Sequence, residues 1–395
     1  MQDAASLNQA RTVSRAEQEA TVAAKGNRFF QSWVILLLIG LVVGIWGAVT
    51  LLVKGHGVAG TNQQIPWGVL VPSYLFLSAA SAGCAIVVSA GYVLGIQRFT
   101  RIMKRATFLS IATFAAAGIL VVLDLGSPQK SIYMLLSTNF QSPMRGMSLL
   151  YGIYLLLLVV QFVVISRGNS KNLRTISILT GMAAIAASST LGAIFGYASV
   201  RAYYSGAFSP IYFVLAALII GTSLLLLVTI LQHKFTNTTI TSEDAEFLSG
   251  LGKFLGIMVF VTVLFTLWKN LAGVRSSVES TALVYQNTLS SWWYWVFVIV
   301  IGLAIPLILL LRKSRSVNSI AFASVLVLVG MFMARFEFII GGQAAAVQPN
   351  LQHPGFSSNY APTFVEIAVI MLAFAVGALI YTVGARKLKL EKSVH

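Results

Sequence analysis

The sequence is poor in charged residues and in cysteine. Only 10% of its 395 residues are Asp, Glu, Lys or Arg, whereas a soluble domain carries about 25%. An exterior that faces water cannot be built from so few charges, so we expect a membrane protein. The single cysteine, Cys84, lies inside an apolar run. The chain therefore has no disulfide framework, and it cannot by itself ligate an iron–sulfur cluster or a structural zinc.

Histidine is also scarce. The four histidines fall outside the cores of the long apolar runs: His56, His233, His353 and His395. A transmembrane b-type haem normally needs two axial histidines from facing helices. This distribution argues against haem, and the chain carries no evident redox cofactor. Any electron transfer must be completed by another subunit.

Acidic residues are few, and the formal net charge is +16. In a soluble protein this charge would suggest a nucleic-acid partner. Here the basic residues form no stripes interleaved with aromatic residues, and they collect between apolar runs, as in the cytoplasmic loops of membrane proteins. We therefore expect the chain to lie in a lipid bilayer and to bind no nucleic acid.

Long apolar runs are abundant, and several exceed the ~18 residues needed to cross a hydrocarbon core. Each run is continuous and lacks the alternation of a barrel strand, which predicts an all-α integral membrane protein. Ten transmembrane helices are predicted, at about 33–53, 69–94, 106–124, 147–166, 176–198, 210–232, 252–270, 292–311, 317–340 and 363–385.

Lysine and arginine set the expected orientation. With the N-terminus inside, 20 of the 27 basic residues fall in inner segments, which favours cytoplasmic N- and C-termini in the cytoplasmic (inner) membrane. Residues 1–30 are too long and too polar for the n-region of a cleaved signal peptide. We interpret them as a cytoplasmic tail, 31–385 as the transmembrane domain and 386–395 as a second cytoplasmic tail.

The charged residues expected inside the membrane all fall in its outer half. Such residues cost ~3 kcal/mol or more each and are usually functional or paired. They are Asp124, Lys269, Arg335, Glu337 and Glu366, with Arg201 just after the fifth helix. This asymmetry indicates a polar site open to the outer leaflet, which a hydrophobic molecule with a polar head, such as a quinone, could enter.

A quinone site needs hydrogen-bond partners for two carbonyls and a group that exchanges protons. Asp124 is the candidate for proton exchange. The other candidates for this polar site are Ser73, Tyr74, Arg145, Tyr197, Arg201 and Tyr204. Alternatively, Asp124 pairs with Arg145 or Arg201 and fixes loop geometry.

The remaining charges form a predicted second-bundle polar cluster of Lys269, Arg335, Glu337 and Glu366. Arg335 and Glu337 are two apart on a helix and point in different directions. We expect Glu366 as the partner of Arg335, and Lys269 as the partner of Glu337. The hydroxyls that run through the helices, such as Ser81 in the second, favour close helix packing over a proton-carrying water chain.

Several short motifs resemble the NrfD/PsrC family of respiratory membrane subunits, in its longer, ten-helix form. Asp124–Pro128 is similar to the family's DLGRP turn, with Ser127 in place of arginine, and Ser142-Pro143-Met144 is similar to its SPM element. The remaining motifs are Ile65–Gly68, Phe76–Gly83, Arg335–Phe338, Gly341–Gln343 and Tyr360–Glu366. Their order and spacing carry the resemblance, which covers residues 30 to 385.

The resemblance implies two four-helix bundles, helices 2–5 and 6–9, flanked by helices 1 and 10. It implies a menaquinone or ubiquinone site near the outer face of the first bundle, with Asp124 as its acid. It also implies that a ferredoxin-like iron–sulfur subunit and a catalytic oxidoreductase subunit dock on the outer face. One departure is clear: many longer members carry a histidine just before the stretch Ala187–Gly192, and this chain has none nearby.

The leading hypothesis is therefore a quinone-interacting membrane anchor of a respiratory oxidoreductase complex, with proton transfer as a further option. A quinone-independent anchor or proton-conducting subunit, as in organohalide respiration, is the alternative that the missing histidine favours. A secondary transporter is a third hypothesis. Transporters use broken helices around a midplane site, whereas these helices look largely uninterrupted, with Pro306 as the one mid-helix proline.

Overall fold

The computed structural model describes residues 30–62, 65–96, 98–126, 129, 131–136, 139, 141–168, 172–197, 203–204, 208–235, 238, 240–343, 360–388 and 390. Within these ranges lie ten helices long and apolar enough to cross a membrane, which confirms the predicted number and the all-α class. They are α1 (Phe30–Val58), α2 (Leu70–Val93), α3 (Arg98–Asp124), α4 (Pro143–Ser166), α5 (Leu173–Gly196), α6 (Phe208–Phe235), α7 (Ser242–Val274), α8 (Tyr294–Leu311), α9 (Val317–Gly341) and α10 (Phe364–Lys387). The structure describes only residue 30 of the predicted N-terminal tail, and residues 386–388 and 390 of the predicted C-terminal tail, into which α10 continues as far as Lys387.

Helix α2 forms the centre of the molecule. It contacts α3, α5, α6 and α9, and nearly all of its residues are buried. The helix contacts agree with two bundles, α2–α5 and α6–α9, which meet where α2 packs against α6. Outside them, α10 packs on α3, and α1 packs on α10 through Gly40, Gly44 and Gly47. Small residues of this kind let helices approach closely where no hydrophobic effect drives them together.

The α2–α6 crossing is built on two glycines. A Cβ on Gly83 would overlap the carbonyl of Ala217, and a Cβ on Gly221 would overlap the backbone of Gly83 and Cys84. The buried Cys84 thiol donates a hydrogen bond to the Gly221 carbonyl across the same contact, with Sγ and O 3.3 Å apart. The two bundles are therefore in backbone contact at this point.

Two charged segments that flank the predicted apolar runs are helical. Helix α3 begins at Arg98, so its first turns are basic, and α7 begins at Ser242, so it includes the acidic cluster at 243–246. Thr241 caps α7 by accepting a hydrogen bond from the Asp244 amide, and acidic side chains are favourable at a helix N-terminus. Glu243 and Asp244 thus lie in the first turn of α7, where acidic side chains stabilise a helix.

Helices α8 and α9 are continuous, but each contains a π-helical segment. Tyr294–Ala304 and Glu337–Gly341 are π-helical. Pro306 follows the first segment, and its missing N–H removes one regular helical hydrogen bond. In the second, the widened turn carries Glu337. Single π-helical turns are frequently found at functional sites.

Five of the charged residues that the sequence predicts within the membrane gather at one end of the bundle: Asp124, Lys269, Arg335, Glu337 and Glu366. This end, which we call the polar end, comprises the last turns of α3, α7 and α9, the first turns of α2 and α10, and the lateral helix Glu279–Ser290 between α7 and α8. An aromatic cluster packs there, including Phe195, Tyr204, Phe213 and Phe338. It gives the polar side chains a rigid and largely water-excluded setting.

Candidate functional site

Asp124 ends α3 at the polar end and is half-buried. Its carboxylate lies close enough to Tyr74 on α2 to interact with it electrostatically, and Tyr74 stands in the same relation to Tyr151 on α4. The hydroxyl of Tyr151 is buried and lies beside the Ser78 hydroxyl of α2. The first bundle thus holds an acid and two phenols that are electrostatic neighbours, a composition that suits proton exchange with a polar ligand.

Glu366, in the first turn of α10, is buried and satisfied by neutral donors. Its Oε2 accepts hydrogen bonds from the amides of Gly60 (3.0 Å) and Thr363 (2.9 Å) and from the Thr363 hydroxyl (3.2 Å). Its Oε1 accepts a hydrogen bond from Tyr360 at 2.7 Å. Thr363 and Glu366 form a capping box, which anchors the start of α10 to the α1–α2 connection.

Tyr360 joins this anchor to the entry of α2. Its hydroxyl accepts a hydrogen bond from the Val69 amide at 2.6 Å. Burial raises the pKa of the Tyr360 hydroxyl, and the carboxylates of Glu366 and Asp124 raise it further. Tyr360 therefore stays protonated, and Asp124 and Glu366 are electrostatic neighbours at the same corner of the molecule.

A second polar centre links α7, α9 and the lateral helix. Lys269 Nζ lies 3.4 Å from Glu337 Oε2, and it donates to the Tyr203 hydroxyl oxygen at 3.0 Å. Glu337 Oε1 accepts hydrogen bonds from Tyr203 (2.8 Å) and Thr288 (3.1 Å). Burial and the Glu337 carboxylate raise the pKa of Tyr203 well above its ordinary value, so Tyr203 remains a donor. The predicted contact of Lys269 with Glu337 is confirmed.

A small cavity of about 20 Å³ adjoins this centre. Lys269, Glu337, Thr262, Tyr212 and Tyr294 are among the residues that line it. The volume suits one water molecule, because a water needs about 10–15 Å³ and two or more polar partners. The cavity is too small for a quinone ring, so this centre is not the better candidate for quinone.

Arg335 is not paired with Glu366, so that prediction is wrong. Glu366 is satisfied by the donors around Thr363, whereas the guanidinium of Arg335 lies 3.8 Å from the centroid of the Phe213 ring. The Arg335 side chain is fully buried, and within the described part of the chain none of its nitrogens has a hydrogen-bond partner.

A model of the polysulphide reductase, NrfD family matches residues 57–347, well over half of the chain. The chain belongs to the NrfD family. The match includes α2 to α9 and therefore both polar centres, while Glu366 follows it.

Curated relatives of this NrfD protein are membrane subunits of reductase complexes. A putative dimethyl sulfoxide reductase membrane subunit of Halobacterium salinarum is 27% identical, and the alignment covers 92% of each chain. The "Hdr-like menaquinol oxidoreductase integral membrane subunit" of Archaeoglobus fulgidus is 24% identical over 90% of this chain and 93% of the relative. The "Menaquinone reductase, integral membrane subunit" of Nitratidesulfovibrio vulgaris is 23% identical over 91% of both chains.

The other site residues predicted for this NrfD chain are dispersed. Ser73 donates to the carbonyl of Val69 at 2.7 Å, within its own helix. The buried Tyr204 donates to the carbonyl of Ile339 at 2.6 Å. Both hydroxyl protons are thus committed to the backbone of the fold.

Tyr197, by contrast, is 68% exposed at the end of α5. Arg145 lies partly buried in the first turn of α4. Arg201 lies outside the described residues, so its pairing with Asp124 stays a prediction. Among the predicted first-bundle candidates, Tyr74 is an electrostatic neighbour of Asp124.

Sequence reasoning missed four polar residues of the two centres. Tyr151 belongs to the Asp124 group, Tyr360 supports Glu366, and Tyr203 and Thr288 bind Glu337. A signal existed for Tyr360, because it belongs to the motif at the start of α10. Thr288 lies in the lateral helix, which is too polar to stand out among the apolar runs.

Replacing Glu366 by alanine is expected to destabilise the protein by about 2–4 kcal/mol, because it leaves buried donors unsatisfied and removes a cap. The donors concerned are the amides of Gly60 and Thr363 and the hydroxyl of Tyr360. The thermal unfolding midpoint in detergent measures the effect. Glu243→Ala, in the first turn of α7 at the opposite end, is the control. Equal midpoints for the two variants would show that Glu366 does not anchor α10.

Proposed function

We propose that this chain is the quinone-interacting membrane subunit of a respiratory oxidoreductase complex. The observation that carries the proposal is the group of Asp124, Tyr74 and Tyr151 at the polar end of the first bundle. Membership of the NrfD family and relatives named as menaquinol oxidoreductase and menaquinone reductase subunits support it, and they favour menaquinone over ubiquinone.

The chemistry of the group fits a quinone headgroup. A bound quinone supplies the exchange of two electrons together with protons. Asp124 accepts or returns a proton at its carboxylate, and Tyr74 orients the headgroup by a hydrogen bond to one of its oxygens. The buried Tyr151 hydroxyl, which lies beside Ser78, suits the same role. The surrounding aromatic side chains limit the access of water, so that proton exchange is confined to Asp124.

We place the polar end on the outer side of the cytoplasmic membrane, with both termini in the cytoplasm. The bias of lysine and arginine towards the opposite loops supports this orientation. An iron–sulfur subunit and a catalytic reductase subunit would then dock at the polar end, close enough to the quinone for electron transfer. Relatives named as membrane subunits of reductases support such partners.

Asp124→Asn is expected to lower quinone-coupled turnover of the purified complex by about 100-fold or more, because general acid–base groups contribute about 10²–10⁴. Asparagine keeps the shape of the side chain, but its amide does not exchange a proton as a carboxyl group does. Glu279→Gln, an exposed acid of the lateral helix at the same end, is the matched control and should retain activity. Size-exclusion chromatography shows whether both variant complexes assemble. Unchanged turnover in Asp124→Asn would rule out the assigned role.

A quinone-independent anchor is the second candidate. The observation that favours it is the stretch Ala187–Gly192 of α5, which lacks the histidine present in many longer relatives. On this alternative, quinone analogues and Asp124→Asn would both leave turnover of the assembled complex unchanged.

A further inference from the structure

Four helix termini meet at the end of the molecule opposite the polar end, which we call the basic end. Helices α1 and α3 begin there, and α6 and α10 end there. The last turn of α6 carries Lys234, and that of α10 carries Arg386 and Lys387. Lys104 of α3 donates a hydrogen bond to the carbonyl of Leu388, just after α10, at 2.8 Å. The acidic residues described at this end belong to α7, and none lies in the described part of these four termini.

The start of α1 is fixed to both α10 and α6 by aromatic side chains. Trp33 Nε1 donates a hydrogen bond to the Thr382 hydroxyl at 3.1 Å. One turn further towards the basic end, the guanidinium of Arg386 lies 3.4 Å from the centroid of the Phe30 ring. The Trp33 ring also lies 6.1 Å from the ring of Phe235, at the end of α6. The termini of α1, α6 and α10 therefore form one surface.

The cations of this surface are placed to bind a phosphate. Arg386 is exposed, and its stacking on Phe30 uses the face of the guanidinium. Its in-plane N–H groups are therefore directed away from the ring, and a guanidinium edge binds phosphate oxygens in pairs. Lys234 is exposed and directly precedes Phe235, so a second cation lies at the same junction. Cations also complement the dipole at a helix C-terminus, but that role does not require an arginine stacked on a neighbouring helix.

An apolar surface adjoins these cations. Leu36, one turn along α1 from Trp33, is 59% exposed, and Val383 of α10 is 43% exposed. In a chain with ten apolar helices such side chains contact the acyl chains of lipids, while a tryptophan ring lies at the level of the headgroups. The surface thus offers cations to a headgroup and apolar side chains to the chains below it, which an amphiphile fits better than a soluble phosphate does.

We propose that Arg386 and Lys234, together with the rings of Phe30 and Trp33, bind the headgroup phosphate of an anionic phospholipid. Basic pockets between transmembrane helices are known to bind anionic headgroups. The bound lipid would join the start of α1 to the ends of α6 and α10. This site shares no residue with the Asp124 group, so it is testable even if the proposed function is wrong.

The test uses the full chain, delipidated in detergent, and reads the thermal unfolding midpoint, since a ligand that binds the folded state raises it. One arm adds dioleoylphosphatidylglycerol. A second adds dioleoylphosphatidylcholine, which has the same acyl chains and no net charge, and a third adds glycerol phosphate. We expect a saturable rise with phosphatidylglycerol, at an apparent affinity about tenfold or more above that for phosphatidylcholine, because two basic residues contribute. Glycerol phosphate should cause no rise.

Arg386→Gln and Lys234→Gln should each weaken the apparent affinity for phosphatidylglycerol about fivefold, and their double variant should no longer prefer it over phosphatidylcholine. Lys313→Gln, at an exposed lysine just after α8 at the same end, is the matched control and should respond as wild type does. The proposal is overturned if the two lipids act equally on wild type, if glycerol phosphate replaces the lipid, or if Lys313→Gln weakens the response as much as Arg386→Gln.

A variant that keeps the charge guards against misfolding of Arg386→Gln. Arg386→Lys retains the positive charge but loses the paired N–H donors and the stacking on Phe30. Its affinity for phosphatidylglycerol should lie between those of wild type and Arg386→Gln. The response of every variant to phosphatidylcholine should match that of wild type, which separates loss of the site from loss of the fold. A wild-type preference for phosphatidylglycerol in Arg386→Gln would contradict the proposal.

Discussion

Gly83→Leu should abolish accumulation of folded protein. The Gly83 position faces the Ala217 carbonyl with no space for a Cβ, and Gly221 lies opposite. A leucine there must push α2 away from α6, which separates the two bundles at their backbone contact. Overpacking a core usually costs about 1–3 kcal/mol, and here the rigid backbone raises this to about 3 kcal/mol or more. The yield of monodisperse protein in size-exclusion chromatography measures the effect.

Gly118→Leu is the matched control for this experiment. Gly118 also lies within a transmembrane helix, α3, but a Cβ there would meet no described atom within 4 Å. The control should therefore accumulate as wild type does. Similar yields for Gly83→Leu and Gly118→Leu would mean that the α2–α6 contact is not as close as the structure has it.

The helix count could be predicted because hydrocarbon leaves the backbone few choices. Every N–H and C=O must be satisfied within the helix, so long apolar runs become helices. The helix ends were harder to predict because capping and charge extend a helix beyond its apolar run. Thr241 and Asp244 start α7 in this way. The π-helical turn at Glu337 was missed because no composition signal accompanies it.

The contacts of the polar groups could be predicted only in part. Opposite charges in hydrocarbon must find partners, and this argument succeeded for Lys269 and Glu337. The same argument failed for Arg335, because Glu366 is satisfied by amides and hydroxyls that carry no charge. The sequence does not show which backbone amides will donate hydrogen bonds to a carboxylate. A carboxylate that amides stabilise is therefore wrongly expected to need a charged partner.

The polar groups of this end differ in whether they find hydrogen-bond or ion-pair partners within the protein. Glu337 and Lys269 find their partners inside the protein, which suits a structural role. Among the described residues, the guanidinium nitrogens of Arg335 have no hydrogen-bond partner. Unsatisfied buried donors are rare in proteins and call for a ligand or water. A bound ligand or buried water is therefore better supported beside Arg335 than at the Lys269–Glu337 pair.

Lys269→Met and Glu337→Gln should each destabilise the protein strongly. The Glu337 side chain is 4% exposed, and removing one member of a buried ion pair costs about 3–5 kcal/mol because the other charge stays buried alone. The double variant should be more stable than the sum of the two losses predicts, since it leaves no uncompensated charge. Thermal unfolding midpoints of the four proteins measure this coupling. Lys54→Met, at an exposed lysine of α1, controls for loss of a positive charge. Strictly additive losses would show that the two charges do not stabilise each other.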